Sequence, residues 1–301
     1  MRAAPGNGPA EREVIGTGRD ALLLPALSSI STRREMLPLA RSLAAGMRCT
    51  VVDWPGFGDH PRARLALSAD ALRAFLDMLL AEDAGRPIIG IAAGHGATYL
   101  VDAARRHPGR FSHLVLVAPT WRGPLPTMLA KQGPAKPGLA NPDLAKQGPE
   151  APGATLRRRV RRAIELPVLG DLLYRLSVSR PVVTRMMRAH VYADPGQVTP
   201  GVLDDKLGVT RQPRARFGTA AFISGGLDPV ASRAAFLALF EGRLPPTLLL
   251  RPRDAPPKSG EEMDALAASG RVSTVSLPGA LAMHEEHADG AAAAILRFVD
   301  G

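Results

Sequence analysis

Histidine is the side chain whose ordinary pKa lies nearest neutrality. The residues of this chain best suited to acid–base chemistry are therefore His95, in Ala92-Ala93-Gly94-His95-Gly96, and His284, in Met283-His284-Glu285-Glu286. Either could move a proton or hold a ligand by a hydrogen bond. The plainer readings are a satisfied structural histidine at 95, and at 284 the start of a helix whose Glu285 and Glu286 favour the N-terminal dipole. Two aspartates sit in turn-like settings, Asp228 in Gly225-Gly226-Leu227-Asp228 and Asp254 in Pro252-Arg253-Asp254-Ala255, where a carboxylate can orient a histidine or cap a turn. Ser28, Ser29 and Ser31 crowd one loop, where their hydroxyls could meet a ligand or bond their own backbone. The seven histidines show no His-x-x-x-His spacing and Cys49 is the single cysteine, so neither a metal site nor a disulfide framework is expected. No cofactor is expected either.

These residues must be positioned by the elements around them. Ala21–Leu24, Cys49–Val52, Pro87–Ile91 and His113–Val117 are short continuous apolar runs, which predict buried strands. Between them, Thr32–Ala45, Ser68–Glu82 and Gly96–Arg106 carry apolar residues at helical spacing. The pattern resumes with predicted strands at Ala220–Ile223, Pro246–Leu250 and Arg271–Leu277. Helices are predicted near Ala231–Phe240 and Glu261–Ala268, with a last one from about Glu286 to Val299. Buried strands alternating with amphipathic helices imply an α/β fold, a mostly parallel central sheet with helices on both faces.

The intervening stretch reads differently. Gly123–Gly153 is rich in helix breakers and repeats Leu-Ala-Lys-Gln-Gly-Pro at 129–134 and 144–149, which predicts a flexible loop. Helices are predicted at Thr155–Leu166, Gly170–Leu176, Pro181–Ala189 and Pro200–Leu207. The expected organisation is a flexible segment at 1–19, a core at 20–119 and 217–301, and a basic insert at 120–216, helical mainly over 155–216.

In this order and spacing the motifs resemble the α/β-hydrolase superfamily of the helical-cap type. Val52-Asp53-Trp54-Pro55-Gly56-Phe57-Gly58 is similar to its Asp-x-x-Gly-x-Gly segment. Arg86–Gly96 stands where its strand, nucleophile elbow and helix belong, and His107-Pro108-Gly109-Arg110 with Leu114–Pro119 resembles the next helix end and strand. Leu277-Pro278-Gly279 followed by His284 resembles the final strand and the histidine loop. The resemblance implies a nucleophile in G-x-S-x-G on a sharp strand-to-helix turn, a histidine base, an acid that orients it, and backbone oxyanion donors.

This chain departs from that pattern at each place. The ungapped register puts Gly94 at the nucleophile position, and the alternative register, Gly90-Ile91-Ala92-Ala93-Gly94, puts Ala92 there. Neither is a nucleophile. His284 stands later than the usual base. The acid is Asp254, 30 residues before His284, or alternatively Asp228, 56 residues before it. Backbone donors would come from Leu27 and His95, and Ser28, His190 and Tyr192 would line a ligand pocket under the cap. The expected function is binding of a small, largely apolar molecule between core and cap. The protein would be a pseudo-hydrolase or an atypical enzyme in which His95 and His284 do acid–base work. The alternatives are a conventional ester or amide hydrolase with a relocated nucleophile and a membrane-associated accessory protein.

Charge supplies the last expectation. The 301 residues hold 38 Lys+Arg and 28 Asp+Glu, for a net +10, with 46% hydrophobic and 22% charged residues. From Arg122 to Arg216 there are 17 basic and 7 acidic residues, so the whole excess sits in the insert. Arg157, Arg158, Arg159, Arg161 and Arg162 gather on one predicted helix. They are read as a solvated face or a weak contact with an anionic membrane surface. Nucleic acid is not expected, since no aromatic platform accompanies them. With no apolar run near the roughly 20 residues of a membrane span and no signal-like start, a cytoplasmic location is expected.

Overall fold

The computed structural model describes residues 12–59, 67–82, 85–129 and 154–301. Its strands are β1 (Arg12–Ile15), β2 (Arg19–Leu24), β3 (Met47–Val52), β4 (Ile88–Ala93), β5 (Phe111–Val117), β6 (Thr247–Pro252) and β7 (Ser273–Leu277). They form one sheet in the order β1-β3-β2-β4-β5-β6-β7. β1 runs antiparallel to β3 and every other neighbour pair is parallel. All six residues of β4 are buried, which is why this strand reads as an unbroken apolar run: helices cover both of its faces.

The helices of the core are α1 (Leu37–Leu43), α2 (Ala69–Glu82) and α3 (Gly94–Arg106). After β5 come α4 (Pro124–Leu129), α5 (Ala154–Glu165), α6 (Leu169–Ser177), α7 (Arg180–Met186) with a π-helical turn at Met187–Val191, α8 (Pro200–Thr210) and α9 (Ala215–Ile223). The chain then returns through α10 (Arg233–Ala238), α11 (Pro257–Ala268), α12 (Met283–Glu286) and α13 (Ala288–Asp300). On one face of the sheet, Leu72, Phe75 and Leu76 of α2 pack with Leu100 of α3, Phe236 of α10 and Leu266 of α11. On the other, Leu39 and Leu43 of α1 pack with Ala291 and Ile295 of α13. A third cluster joins Val183, Met187, Tyr192, Leu203 and Leu207 of the inserted helices to Ile30 and Ala282 of core loops.

Three expectations need correction. The segment 1–19 contains a strand, β1, whose Val14 and Ile15 pair with Thr50 and Cys49. Ala220–Ile223 is the end of helix α9 rather than a strand. A four-residue apolar run has no period that separates the two, and here helix α9 packs with the inserted helices while Ala221 and Phe222 join the core. Pro124–Leu129 is helical although it lies in the stretch expected to be a flexible loop. The rest of that loop, with most of its six-residue duplication, falls outside the described residues.

Register brings the functional loops together. Leu24 pairs with Ala92, Ala93 with Val117, and Val117 with Leu250, so β2, β4, β5 and β6 end side by side. Loops leaving the carboxyl ends of parallel strands are where such sheets build sites. Two buried aromatics tie these loops down. Trp54 Nε1 donates to Pro25 O at 2.8 Å, and the Tyr99 hydroxyl donates to Leu227 O at 2.9 Å. Their rings pack with centroids 5.4 Å apart. One apolar contact thus fixes both the loop after β2 and the turn that carries Asp228.

Candidate active site

At the end of β4 the chain turns sharply into α3 through Gly94, whose φ is +51°. Glycine enters this left-handed region without a Cβ penalty. A Cβ at Gly94 would stand 2.9 Å from Ala26 Cβ and 3.7 Å from Thr120 Oγ1. One turn-forming step later, a Cβ at Gly96 would come within 2.7 Å of Pro25 O, so a glycine there lets α3 approach the loop after β2. Ala26, Gly94 and Thr120 are each partly exposed, whereas Pro25, Ala93 and His95 beside them are buried. Solvent therefore reaches this junction through those three residues.

The nearest polar side chain to the elbow is that of Thr120. Its Oγ1 lies 2.8 Å from His95 Nδ1. On the far side of the ring, His95 Nε2 faces Asp228 Oδ1 at 3.5 Å, in ion-pair range but long for a hydrogen bond. His95 is 3% exposed and the Asp228 side chain 11%, and Phe222 packs edge-on against the imidazole. A hydroxyl, an imidazole and a carboxylate in line is the arrangement that activates a hydroxyl. If the carboxylate holds the proton on Nε2, Nδ1 is left to accept from the Thr120 hydroxyl.

The loop bearing Thr120 is held from several sides. Thr120 N donates to Gly94 O at 3.1 Å, and Thr98 Oγ1 donates to Thr120 O at 2.9 Å. Trp121 Nε1 and Arg122 both donate to the Glu262 carboxylate, at 3.1 and 3.0 Å, and Arg233 grips the same carboxylate with two further bonds. Gly123 N donates to Asp228 Oδ1 at 2.8 Å, so the acid is anchored by the same loop. Ala118, where the loop leaves β5, has φ +44°, a conformation uncommon outside glycine. Strain of this kind persists where surrounding bonds over-determine it.

A second buried group lies on the other side of Ala26. Glu35 Oε1 accepts from Ala26 N at 2.7 Å, and His284 Nε2 stands 3.9 Å from that same oxygen. Lys206 Nζ donates to both Glu285 oxygens at 2.9 and 3.1 Å and lies 3.7 Å from Glu35. Burial pushes the Glu35 carboxyl up to about 7 against the pull of Lys206. Burial pushes His284 down to about 4, and Lys206 adds to this while Glu285 opposes it. Burial alone would lower Lys206, but Glu285 and Glu35 outweigh it and raise its pKa. His284 is therefore neutral near pH 7, with neither ring nitrogen hydrogen-bonded to a described residue.

The residues singled out in the sequence divide between these two groups and the surface. His95 and Asp228 come together, and Gly94 forms the elbow beside them. Ala92 is an interior strand residue of β4. His284 is buried, but Glu35 and not Asp254 is the acid beside it. Asp254 is exposed, and its N–H donates to Gly279 O at 3.0 Å. Ser28 Oγ engages Ser31 Oγ at 2.8 Å and accepts from Ile30 N at 3.3 Å, bonding its own loop. His190 is exposed on the π-helical turn, whereas Tyr192 is buried and its phenol is raised by burial, with Lys206 opposing. Leu27 is buried and its N–H makes no hydrogen bond to another described residue, while the first turn of α3 leaves N–H groups without intrahelical acceptors. Among the described residues no group of three or more His, Cys, Asp or Glu side chains is disposed to hold a metal ion, and no helix is long and apolar enough to cross a membrane.

No motif or spacing in the sequence marks Thr120, Glu35 or Lys206. Thr120 follows Ala118-Pro119 and looks like an ordinary loop residue. Its one signal is its place just past the carboxyl end of a central strand. Glu35 and Lys206 lie on short polar stretches that periodicity assigns to the surface, and Lys206 is buried against two carboxylates, Glu285 and Glu35.

No protein-family model and no curated protein matches the chain. Solved structures do. An esterase from Thermogutta terrifontis aligns at TM-score 0.66 and 20% identity over 96% of this chain and 93% of its own. An enol-lactonase from Burkholderia xenovorans aligns at 0.65 and 16% over 97% and 96%, and a haloalkane dehalogenase variant from Bradyrhizobium elkanii at 0.64 and 17% over 96% and 92%. At these identities the likeness is one of fold, and the fold is that of the α/β-hydrolases.

Proposed function

We propose that this chain is an acyl hydrolase of atypical construction, in which Thr120 is the nucleophile, His95 the general base and Asp228 the acid that orients it. The single observation that carries the reading is the Thr120–His95–Asp228 line, 2.8 and 3.5 Å between successive groups, beside an elbow that bears glycine. Among the sequence-level alternatives it unites histidine acid–base chemistry with a relocated nucleophile. The substrate would be a small, largely apolar ester or amide, bound where the inserted helices cap the core.

In the first step, Thr120 Oγ attacks the acyl carbon while its proton passes to His95 Nδ1. Asp228 stabilises the imidazolium that forms. The developing oxyanion would be met by the N–H of Leu27 and those of the first turn of α3, Gly94 and His95 among them. Collapse of the tetrahedral intermediate breaks the bond to the leaving group, which takes the proton from Nδ1. Water, deprotonated by His95, then attacks the acyl-threonine and releases the carboxylate, returning the proton to Thr120. The ring presents Nδ1 to the nucleophile and Nε2 to the acid because it stands on α3 itself, between the two loops.

Turnover of a panel of short- and medium-chain esters by the whole chain tests the reading. Removing a positioned base costs about 10²–10⁴ in rate, so His95→Gln and Asp228→Asn should each lower kcat by that order with thermal stability little changed. A second reading, a ligand-binding pseudo-hydrolase, is favoured by Gly94 and by the neutral His284, whose ring nitrogens hydrogen-bond to no described residue. It would be upheld by ligand retention with no ester turnover above the uncatalysed rate in wild type or in either variant.

A further inference from the structure

Helix α6 is inside out. Its buried residues are Gly170 and Tyr174, while Leu169, Leu172, Leu173 and Leu176, at i, i+3, i+4 and i+7, form one stripe that is 51%, 55%, 40% and 60% exposed. The Tyr174 hydroxyl donates to Thr210 O at 2.9 Å, so the polar handle of the helix points into the protein and its leucines out. The stripe continues through the turn from α5, where Leu166 is 48% and Val168 85% exposed. Val168 is β-branched and has φ +60°, a conformation that such residues rarely adopt. Gly170 seats α6 so closely on α5 that a Cβ there would stand 2.2 Å from Ile164 O. The two helices thus form one corner with a fixed apolar edge.

Charge identifies what this edge fits. Residues 154–191 carry nine arginines, no lysine and only two acidic residues, Glu165 and Asp171. Arg161 turns inward to Glu165 and Leu67 O, whereas Arg158, Arg159 and Arg162 of α5 are exposed. Planar guanidinium groups match phosphate and carboxylate oxygens bidentately. Tyr174 is the one aromatic residue in the stretch and is buried, so bases would find no platform to stack on. An exposed leucine stripe on α6 that follows an arginine-rich α5 matches an interface that is apolar beneath and anionic at its surface. We propose that the α5–α6 corner is a docking surface for an anionic lipid bilayer, with the leucines of α6 entering the headgroup boundary and the arginines of α5 on lipid phosphates. This inference is independent of the chemistry at Thr120.

Cosedimentation of the whole chain with vesicles tests it, using phosphatidylcholine alone or with about one-third phosphatidylserine. Binding should require the anionic lipid and fall steeply between about 0.1 and about 0.5 M salt. Each charge near such a surface is worth about fivefold, so the triple variant R158E/R159E/R162E should bind at least about a hundredfold more weakly. The double variant L172D/L176D should not bind, and both variants should keep the wild-type circular dichroism because the altered side chains are exposed. The proposal is overturned if the wild type ignores the anionic vesicles, or if neither variant changes binding. It is overturned too if L172D/L176D splits a dimer seen by light scattering while vesicle binding persists, since a second copy would then be what covers the stripe.

Discussion

Thr120 Oγ1 lies 2.8 Å from His95 Nδ1 and 3.7 Å from the point where a side chain on Gly94 would begin. The hydroxyl thus lies in van der Waals reach of the point where an elbow side chain would begin. The ring that it meets stands on the first turn of α3, one residue beyond the elbow. On the proposed mechanism, the loop after the next strand supplies the hydroxyl that Gly94 lacks.

Restoring a serine at the elbow should not restore a conventional triad. Gly94→Ser would bring a Cβ to 2.9 Å from Ala26 Cβ in a left-handed conformation, at a cost of about 1–3 kcal/mol. Ala26 N is bonded to Glu35, and His284 has no hydrogen-bonded carboxylate. We expect a lower melting temperature and no gain in esterase turnover, both read against wild type.

The Glu35–His284 pair sets opposing pH dependences. Glu35 has its folded pKa raised to about 7, so between about 4.5 and 7 the folded state binds more protons than the unfolded, and this group's contribution falls as pH rises. His284 has its folded pKa lowered to about 4, so from about 4 to 6.5 the unfolded state binds more protons and stability rises with pH. The two trends offset each other in wild type. Relative to it, His284→Gln should lose stability as pH rises from 4.5 to 6.5, and Glu35→Gln should gain it over that window. Each difference should be on the order of 2 kcal/mol in denaturant titrations.

Lys206→Met tests the buried charge group as a unit. Lys206 bridges Glu285 and Glu35 with its side chain 6% exposed, so its loss leaves two carboxylates uncompensated. Breaking such a group costs about 3–5 kcal/mol. The double variant with Glu285→Gln should recover part of that loss, measured by urea denaturation.

Tyr99→Phe separates positioning from chemistry. Removing the hydroxyl leaves Leu227 O unsatisfied in the core, at about 1–2 kcal/mol, and loosens the turn that carries Asp228. kcat should fall while the KM for esters stays near wild type. A variant that loses stability alone would show that the turn holds Asp228 without this bond.

The sheet was readable because β2, β4 and β5 are buried on both faces and carry unbroken apolar runs, and because amphipathic helices separate them. The edge strand β1 was missed, since Arg-Glu-Val-Ile is short and half exposed and shows no strand without its partner β3. Ala220–Ile223 failed for the opposite reason: its apolar character is shared by buried helix and buried strand alike. At the site, His95 stood out by its type and its glycine neighbours. Asp228 was visible only as one of two candidate acids, and its 56-residue distance from His284 hid that its partner is His95. Thr120 could not be seen at all. A threonine acquires a role only through the ring that register between β4 and β5 brings against it.

Whether Thr120 is the nucleophile turns on the reactivity of its hydroxyl, which a fluorophosphonate probe reads directly. Attack by Thr120 Oγ on phosphorus would expel fluoride and leave a phosphonyl ester, detected by peptide mass spectrometry. A single adduct is expected on Thr120, absent in Thr120→Val and strongly reduced in His95→Gln, with both variants folded. An adduct on any serine, or labelling unchanged in those two variants, would contradict it.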